Sequence, residues 1–126
     1  MARGPEGRFW RKVRAAWPGH AQRVEASHGD SEPGTPDVVL SIGFRGGWVE
    51  LKVWPDNVSV KQLAWHTDAT DRGAYCVVLS RISPREVWLG SAERYDSLVR
   101  CGKRPKGVHL QAALNGIRCA LISSPK

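Results

Sequence analysis

No stretch of this chain approaches the roughly 18 consecutive apolar residues of a membrane-spanning helix, which excludes an integral α-helical membrane protein. The opening residues, Met1-Ala2-Arg3-Gly4, have no apolar run of signal-peptide type, so the expected location is the cytoplasm. Cysteine is scarce. Cys76, Cys101 and Cys119 stand far apart with no Cys-x-x-Cys pair, which argues against a disulfide framework and a structural zinc site. They are expected to be reduced thiols, mostly packing residues. No internal repeat or low-complexity tract occurs, and no nucleophile elbow accompanies any serine, so a Ser–His hydrolase is not supported.

Acid is missing where base is plentiful. Residues 100–126 hold six bases and no acid, and residues 1–24 hold six bases against Glu6 alone. The net charge is +7, yet the middle of the chain is net negative. Basic ends suit a polyanion such as nucleic acid, and an acidic centre suits a bound cation. With 126 residues, 41% of them hydrophobic, one domain spanning 1–126 with a small core is expected.

Periodicity predicts a helix over 5–17, with Pro5 in its first turn and Phe9, Trp10, Val13 and Trp17 at helical spacing before Pro18-Gly19. A short strand is expected over 22–26, and a Gly/Pro/Ser-rich loop over 27–36. Residues 37–42 and 48–53 read as two strands joined through Gly43-Phe44-Arg45-Gly46-Gly47. A helix starts at Ser59, where Ser59 and Gln62 fit a capping box, and stops before Gly73. Residues 74–79 and 86–89 read as strands, and 92–100 as a helix capped by Ser91. Residues 108–122 resemble a second hairpin turning at Asn115-Gly116, with a helix over 108–114 as the alternative.

The first hairpin carries the chemistry. Val38, Leu40, Ile42, Val49, Leu51 and Val53 alternate onto one face, which must pack on helices. Asp37, Glu50 and Lys52 then share the other face, with Asp37 opposite either Glu50 or Lys52. A slip by one residue would bury the charges and expose the apolar set. Two carboxylates about 5 Å apart repel unless a cation lies between them. A Mg²⁺ ion there could polarise a phosphoryl oxygen and acidify a water, with the lysine orienting that water. The bland alternative is a solvated face with an Asp/Lys pair. Pro55-Asp56, a second Pro-Asp with no Glu-x-Lys after it, shows how cheap the dipeptide is.

Gly34-Thr35-Pro36-Asp37 followed by Glu50-Leu51-Lys52 resembles the PD-(D/E)xK nuclease superfamily, as does the order helix, three strands, helix, strand across residues 5–80. Within it the chain looks most like the archaeal-type Holliday junction resolvases, also found in phages. The resemblance implies an α/β, restriction-endonuclease-like core with a central mixed β-sheet flanked by helices. It implies a metal-dependent, structure-selective endodeoxyribonuclease that cuts four-way DNA junctions as a homodimer in a prokaryotic or phage-infected cell. Asp37, Glu50 and the Leu51 carbonyl would hold Mg²⁺, with Mn²⁺ able to substitute. Glu6, in the first helix, would reach the metal directly or through water. Lys52 would assist the attacking water, Ser27 would sit on a loop near the scissile phosphate, and Gln62 would join from the following helix.

The loop around Ser27 is more acidic than a DNA-facing loop should be, so Glu25, Asp30 or Glu32 could replace Glu6 as third acid. Arg3, Arg8, Arg11, Lys12, Lys103, Arg104 and Lys106 are the candidate DNA-backbone contacts. His28 is a weaker phosphate candidate, and His66 is expected to pack or face solvent. Most of the six tryptophans are expected in the core or at a dimer contact; Trp48, on the face of Glu50, could instead stack on a splayed base. Two rivals stand beside the resolvase reading: a viral replication-repair type nuclease acting on flaps or nicked DNA, and a catalytically idle DNA-binding module.

Overall fold

The computed structural model describes residues 4–24 and 36–123. Among them lie helices α1 (Gly4–Ala16), α2 (Val60–Asp71), α3 (Ala92–Cys101) and α4 (Leu110–Ser123). The strands are β1 (His20–Arg23), β2 (Val38–Ile42), β3 (Arg45–Val53), β4 (Cys76–Ser83) and β5 (Glu86–Gly90), in one sheet of order β1-β2-β3-β4-β5. Only β3 and β4 run parallel, joined by α2; every other neighbouring pair is antiparallel. The sheet is therefore mixed, and helices cover both of its faces.

One face carries the apolar set foreseen from the alternation. Val38, Leu40, Val49 and Leu51 are buried there beneath Phe9, Trp10 and Val13 of α1 and Ala113, Leu114, Ile117 and Leu121 of α4. The indole of Trp17 donates to the Ser41 carbonyl at 2.9 Å, which fixes the end of α1 against β2. On the opposite face a smaller cluster gathers Val58, Val78, Ala92 and Tyr95 under α2 and α3. Ser91 caps α3 as expected, and its hydroxyl accepts from the Arg94 N–H at 3.1 Å.

The last element differs from the hairpin expected over 108–122: it is α4. Leu110, Ala113, Leu114, Ile117 and Leu121 recur at helical spacing, and all but Leu110 are buried. Burying Leu114 and Ile117 contributes about 1.5–3 kcal/mol each. Gly116 inside the helix costs only about 1 kcal/mol, so the apolar stripe outweighs the Asn-Gly turn signal.

Smaller differences follow the same logic. The first hairpin turns on Gly43-Phe44 alone, with Gly43 at φ 61°, and Gly46 and Gly47 belong to β3. A Cβ at Gly47 would come within 2.5 Å of the Tyr75 ring, so glycine lets Tyr75 close over the strand. β1 begins two residues earlier than expected. Of the three thiols only Cys76 packs; Cys101 and Cys119 are exposed.

Candidate active site

β2 and β3 pair with Val38 beside Val49, and continuing that register by one residue sets Asp37 beside Glu50. Of the two registers compatible with the sequence, the fold takes this one. The polar face is not solvated: Glu50 is 1% exposed and Lys52 8% exposed, because the β3–α2–β4 crossover lays α2 over them. Burying two carboxylates side by side is costly, and the pair shows it. Burial pushes Asp37 up to about 7, reinforced by the neighbouring Glu50. Burial likewise pushes Glu50 up to about 7, against the opposing influence of the Asp37 hydrogen bond and the Lys52 charge.

Glu6, on the exposed side of the first turn of α1, feels the same group. Its carboxyl is raised by burial and by Asp37, and lowered by Lys52 and Arg23. α1 therefore brings its first turn to the mouth of the site, where Asp56 also raises both Glu6 and Glu50. The loop bearing Asp56 is held by α3: the Tyr95 hydroxyl donates to the Asp56 carbonyl at 2.7 Å, and Asn57 donates to Asp96 at 2.8 Å.

Gln62 serves two purposes at once. Its Oε1 accepts from the Ser59 N–H at 2.8 Å, and the Ser59 hydroxyl accepts from the Gln62 N–H at 3.0 Å, which closes the capping box. Its Nε2 donates to Glu50 Oε2 at 3.0 Å. The cap fixes the amide, and the amide fixes the carboxylate. The other oxygen, Glu50 Oε1, is buried without a hydrogen-bond partner.

Backbone geometry at Leu51 completes the picture. The N–H groups of Trp48 and Trp54 donate toward β4, so odd-numbered residues of β3 direct their backbone toward β2. The Leu51 N–H accordingly donates to Asp37 Oδ2 at 3.3 Å. The Leu51 carbonyl points the same way, and its register partner there is Pro36, which has no N–H to offer. A carbonyl, two crowded carboxylates and an orphaned carboxylate oxygen suit a small divalent cation. Among the described residues no cluster of three His, Cys, Asp or Glu side chains closes on one point. Mg²⁺ does not require one, since it keeps several waters and takes one or two carboxylates.

His66, expected to pack or face solvent, packs, and it does so against Glu50. It is buried on α2, with Nε2 at 4.0 Å from Glu50 Oε1, and burial pulls its imidazole down to about 4. Its spacing of four from Gln62 on one helix face was the available signal. Trp48 is half-buried and meets Trp65 edge-on at 5.3 Å, a packing arrangement.

Ser27 and Arg3 lie outside the described residues, as do His28, Glu25, Asp30 and Glu32. Arg8, Arg11 and Lys12 are exposed on α1. Lys103, Arg104 and Lys106 are exposed on the loop that follows α3 and that pairs with β5 through Val108 and Val87. Arg104 donates to the Ile82 carbonyl at 3.3 Å, beside a cleft of about 60 Å³ whose lining includes Lys12, Arg81, Arg85 and His109. Arg81 pairs with Val53 and so shares the face covered by α1 and α4, across the sheet from Glu50 and Lys52.

The sheet order, the β3–α2–β4 crossover and the flanking helices define a restriction-endonuclease-like α/β fold. The solved structure of Hjc from Archaeoglobus fulgidus, a Holliday junction resolvase from an archaeal hyperthermophile, has this fold. It matches with a TM-score of 0.57 at 22% identity, over 89% of this chain and 96% of that one. No family model matches the chain, and no curated protein matches it by sequence. No helix among the described residues is long and apolar enough to cross a membrane.

Proposed function

We propose that this protein is a metal-dependent, structure-selective endodeoxyribonuclease that cuts four-way DNA junctions by phosphodiester hydrolysis. The observation that carries the reading is half-buried Asp37 beside fully buried Glu50, both raised in pKa, with one oxygen of Glu50 left unpartnered. A structural role gives no reason to bury two carboxylates together. A DNA-binding surface has no use for them either, which disfavours the idle-module alternative. The fold shared with a Holliday junction resolvase supports the choice of substrate.

In this reading Asp37, Glu50 and the Leu51 carbonyl hold Mg²⁺, or Mn²⁺ in its place, and Glu6 approaches from α1. When bound, the ion supplies positive charge at the phosphodiester and an acidified water. Lys52, beside Glu50 on β3, orients the attacking water and offsets the charge that develops at phosphorus. Gln62 holds the Glu50 carboxylate in place through its 3.0 Å hydrogen bond. Ser27 belongs to the proposed site by resemblance alone. Arg8, Arg11 and Lys12 of α1 and Lys103, Arg104 and Lys106 grip the phosphate backbone, and Arg3, outside the described residues, joins this set from the sequence alone. Two copies of the chain, related by a two-fold axis, would place one site on each of the two strands to be cut.

The test is cleavage of labelled four-way junction, flap, nicked duplex and plain duplex with Mg²⁺ or with chelator. Mg²⁺-dependent, paired cuts in the junction support the proposal. Preference for flaps or nicks would transfer the protein to the replication-repair alternative, and metal-independent cutting would overturn the mechanism.

A further inference from the structure

Three buried polar atoms at one place lack hydrogen-bond partners: Glu50 Oε1, His66 Nδ1 and His66 Nε2. His66 is 3% exposed and Glu50 1% exposed. An unpaired buried polar group costs about 1–3 kcal/mol, so this juxtaposition is expensive unless the atoms serve one another. Glu50 Oε1 and His66 Nε2 face each other at 4.0 Å, about 1 Å beyond a hydrogen bond. His66 lies one helical turn after Gln62, which already holds the other oxygen of the same carboxylate. The His66 ring also lines a cavity of about 90 Å³ between α2 and the start of α3, with Thr67, Thr70, Asp71 and Glu93 in its walls.

Resting on the metal-site reading above, we propose that His66 is a positioning residue: its neutral imidazole donates Nε2–H to Glu50 Oε1. Gln62 and His66 then grip both oxygens of one carboxylate from one face of α2, leaving the remaining lone pairs aimed at the ion. Carboxylates that ligate metals are commonly held by such outer hydrogen bonds, and losing one typically costs 10–100-fold in metal affinity, as a rough range.

The experiment measures Mn²⁺ affinity by titration calorimetry or electron paramagnetic resonance for the unsubstituted protein, Glu50→Gln, and three variants of His66. A glutamine amide nitrogen reaches the place of Nε2, whereas an asparagine amide nitrogen reaches that of Nδ1. His66→Gln should therefore keep most of the affinity, and His66→Asn and His66→Leu should lose about 10–100-fold. Thermal melts without metal check that each variant folds; His66→Leu should melt lower than His66→Gln, since it leaves Glu50 Oε1 without a donor. In the metal-free protein, ¹⁵N NMR should show the Nε2–H tautomer, with its resonance shifted by Glu50→Gln. Equal affinity in the Gln, Asn and Leu variants, or an Nδ1–H tautomer, would overturn the proposal while the metal site stands. If the parent shows no Mn²⁺ binding that depends on Glu50, the metal reading itself falls, and this inference with it.

Discussion

Replacing Asp37 with asparagine should make the metal-free protein more stable, increasingly so as pH rises from about 4 to 7. Both carboxyls of the pair are raised to about 7 by burial, so between about pH 4 and pH 7 the folded chain holds protons that the unfolded chain has released. Stability is then greatest near the acidic end of that window and falls as pH rises through 7. One carboxyl moved by three pH units corresponds to about 4 kcal/mol. Asp37 and Glu50 shift each other's titration as neighbours, so the pair is counted once, and the partial exposure of Asp37 lowers the figure to about 2–3 kcal/mol. Asp37→Asn removes one of the two charges and keeps a hydrogen-bonding group at the same place. In chelator at pH 8 it should raise the melting temperature by roughly 6–15 °C, at about 3–5 °C per kcal/mol for a chain of this size. At pH 5.5, midway through that window, the difference should shrink to about half, and by pH 4 it should vanish. Saturating Mg²⁺ at pH 8 should stabilise the parent, by about 2.7 kcal/mol at a hundred times Kd, and leave the variant unmoved. Thermal melts at pH 8 and pH 5.5 decide the matter. A variant less stable than the parent at pH 8, or a gap of equal size at both pH values, would mean that the two buried charges do not oppose folding.

Gly116→Ala should stabilise the protein by about 0.5–1 kcal/mol in urea denaturation, because the residue is helical and a Cβ there meets only Leu89 at 3.8 Å. A loss of stability would argue against α4. Lys12, Arg81, Arg85 and Arg104 make no ion pair among the described residues. Neutralising Lys103, Arg104 and Lys106 together should flatten the dependence of log affinity for DNA on log salt, by about 0.9 for each phosphate no longer neutralised; an unchanged slope removes that loop from the DNA. Sedimentation at micromolar concentration should give twice the 13.9 kDa chain mass. Mixing parent with Glu50→Gln should give species that nick one strand of a cruciform plasmid, whereas a monomer in solution and on the junction would remove the symmetric mechanism.

The hairpin was legible in the sequence because two signals agreed there. Alternation from Val38 to Val53 set which face is buried, and the parity of Asp37, Glu50 and Lys52 followed from it. The depth of the site was not legible. That Glu50 and Lys52 are covered depends on where the β3–α2–β4 crossover places α2, a tertiary fact with no local signature. Gln62 was ambiguous between helix cap and site residue because its side chain both caps α2 and bonds Glu50. His66 looked like a packing residue on a weakly amphipathic helix, and only the fold reveals that it meets Glu50. Residues 110–123 misled for a different reason. Asn115-Gly116 is a strong local turn signal, and the helical spacing of Leu110, Leu114, Leu121 and their neighbours outweighs it only once a sheet is there to pack against.

Asp37 and Glu50, on the proposed mechanism, act through a bound divalent ion and are not needed to hold DNA. The direct measurement is single-turnover cleavage and equilibrium binding of one labelled four-way junction by the parent, Asp37→Asn and Glu50→Gln. The parent should cut with Mg²⁺ and fall silent with chelator. Both variants should bind the junction as tightly as the parent, or more tightly because a negative charge near phosphate is gone, and should not cut it. Cleavage by either variant in the presence of chelator would rule out metal-mediated hydrolysis at this pair.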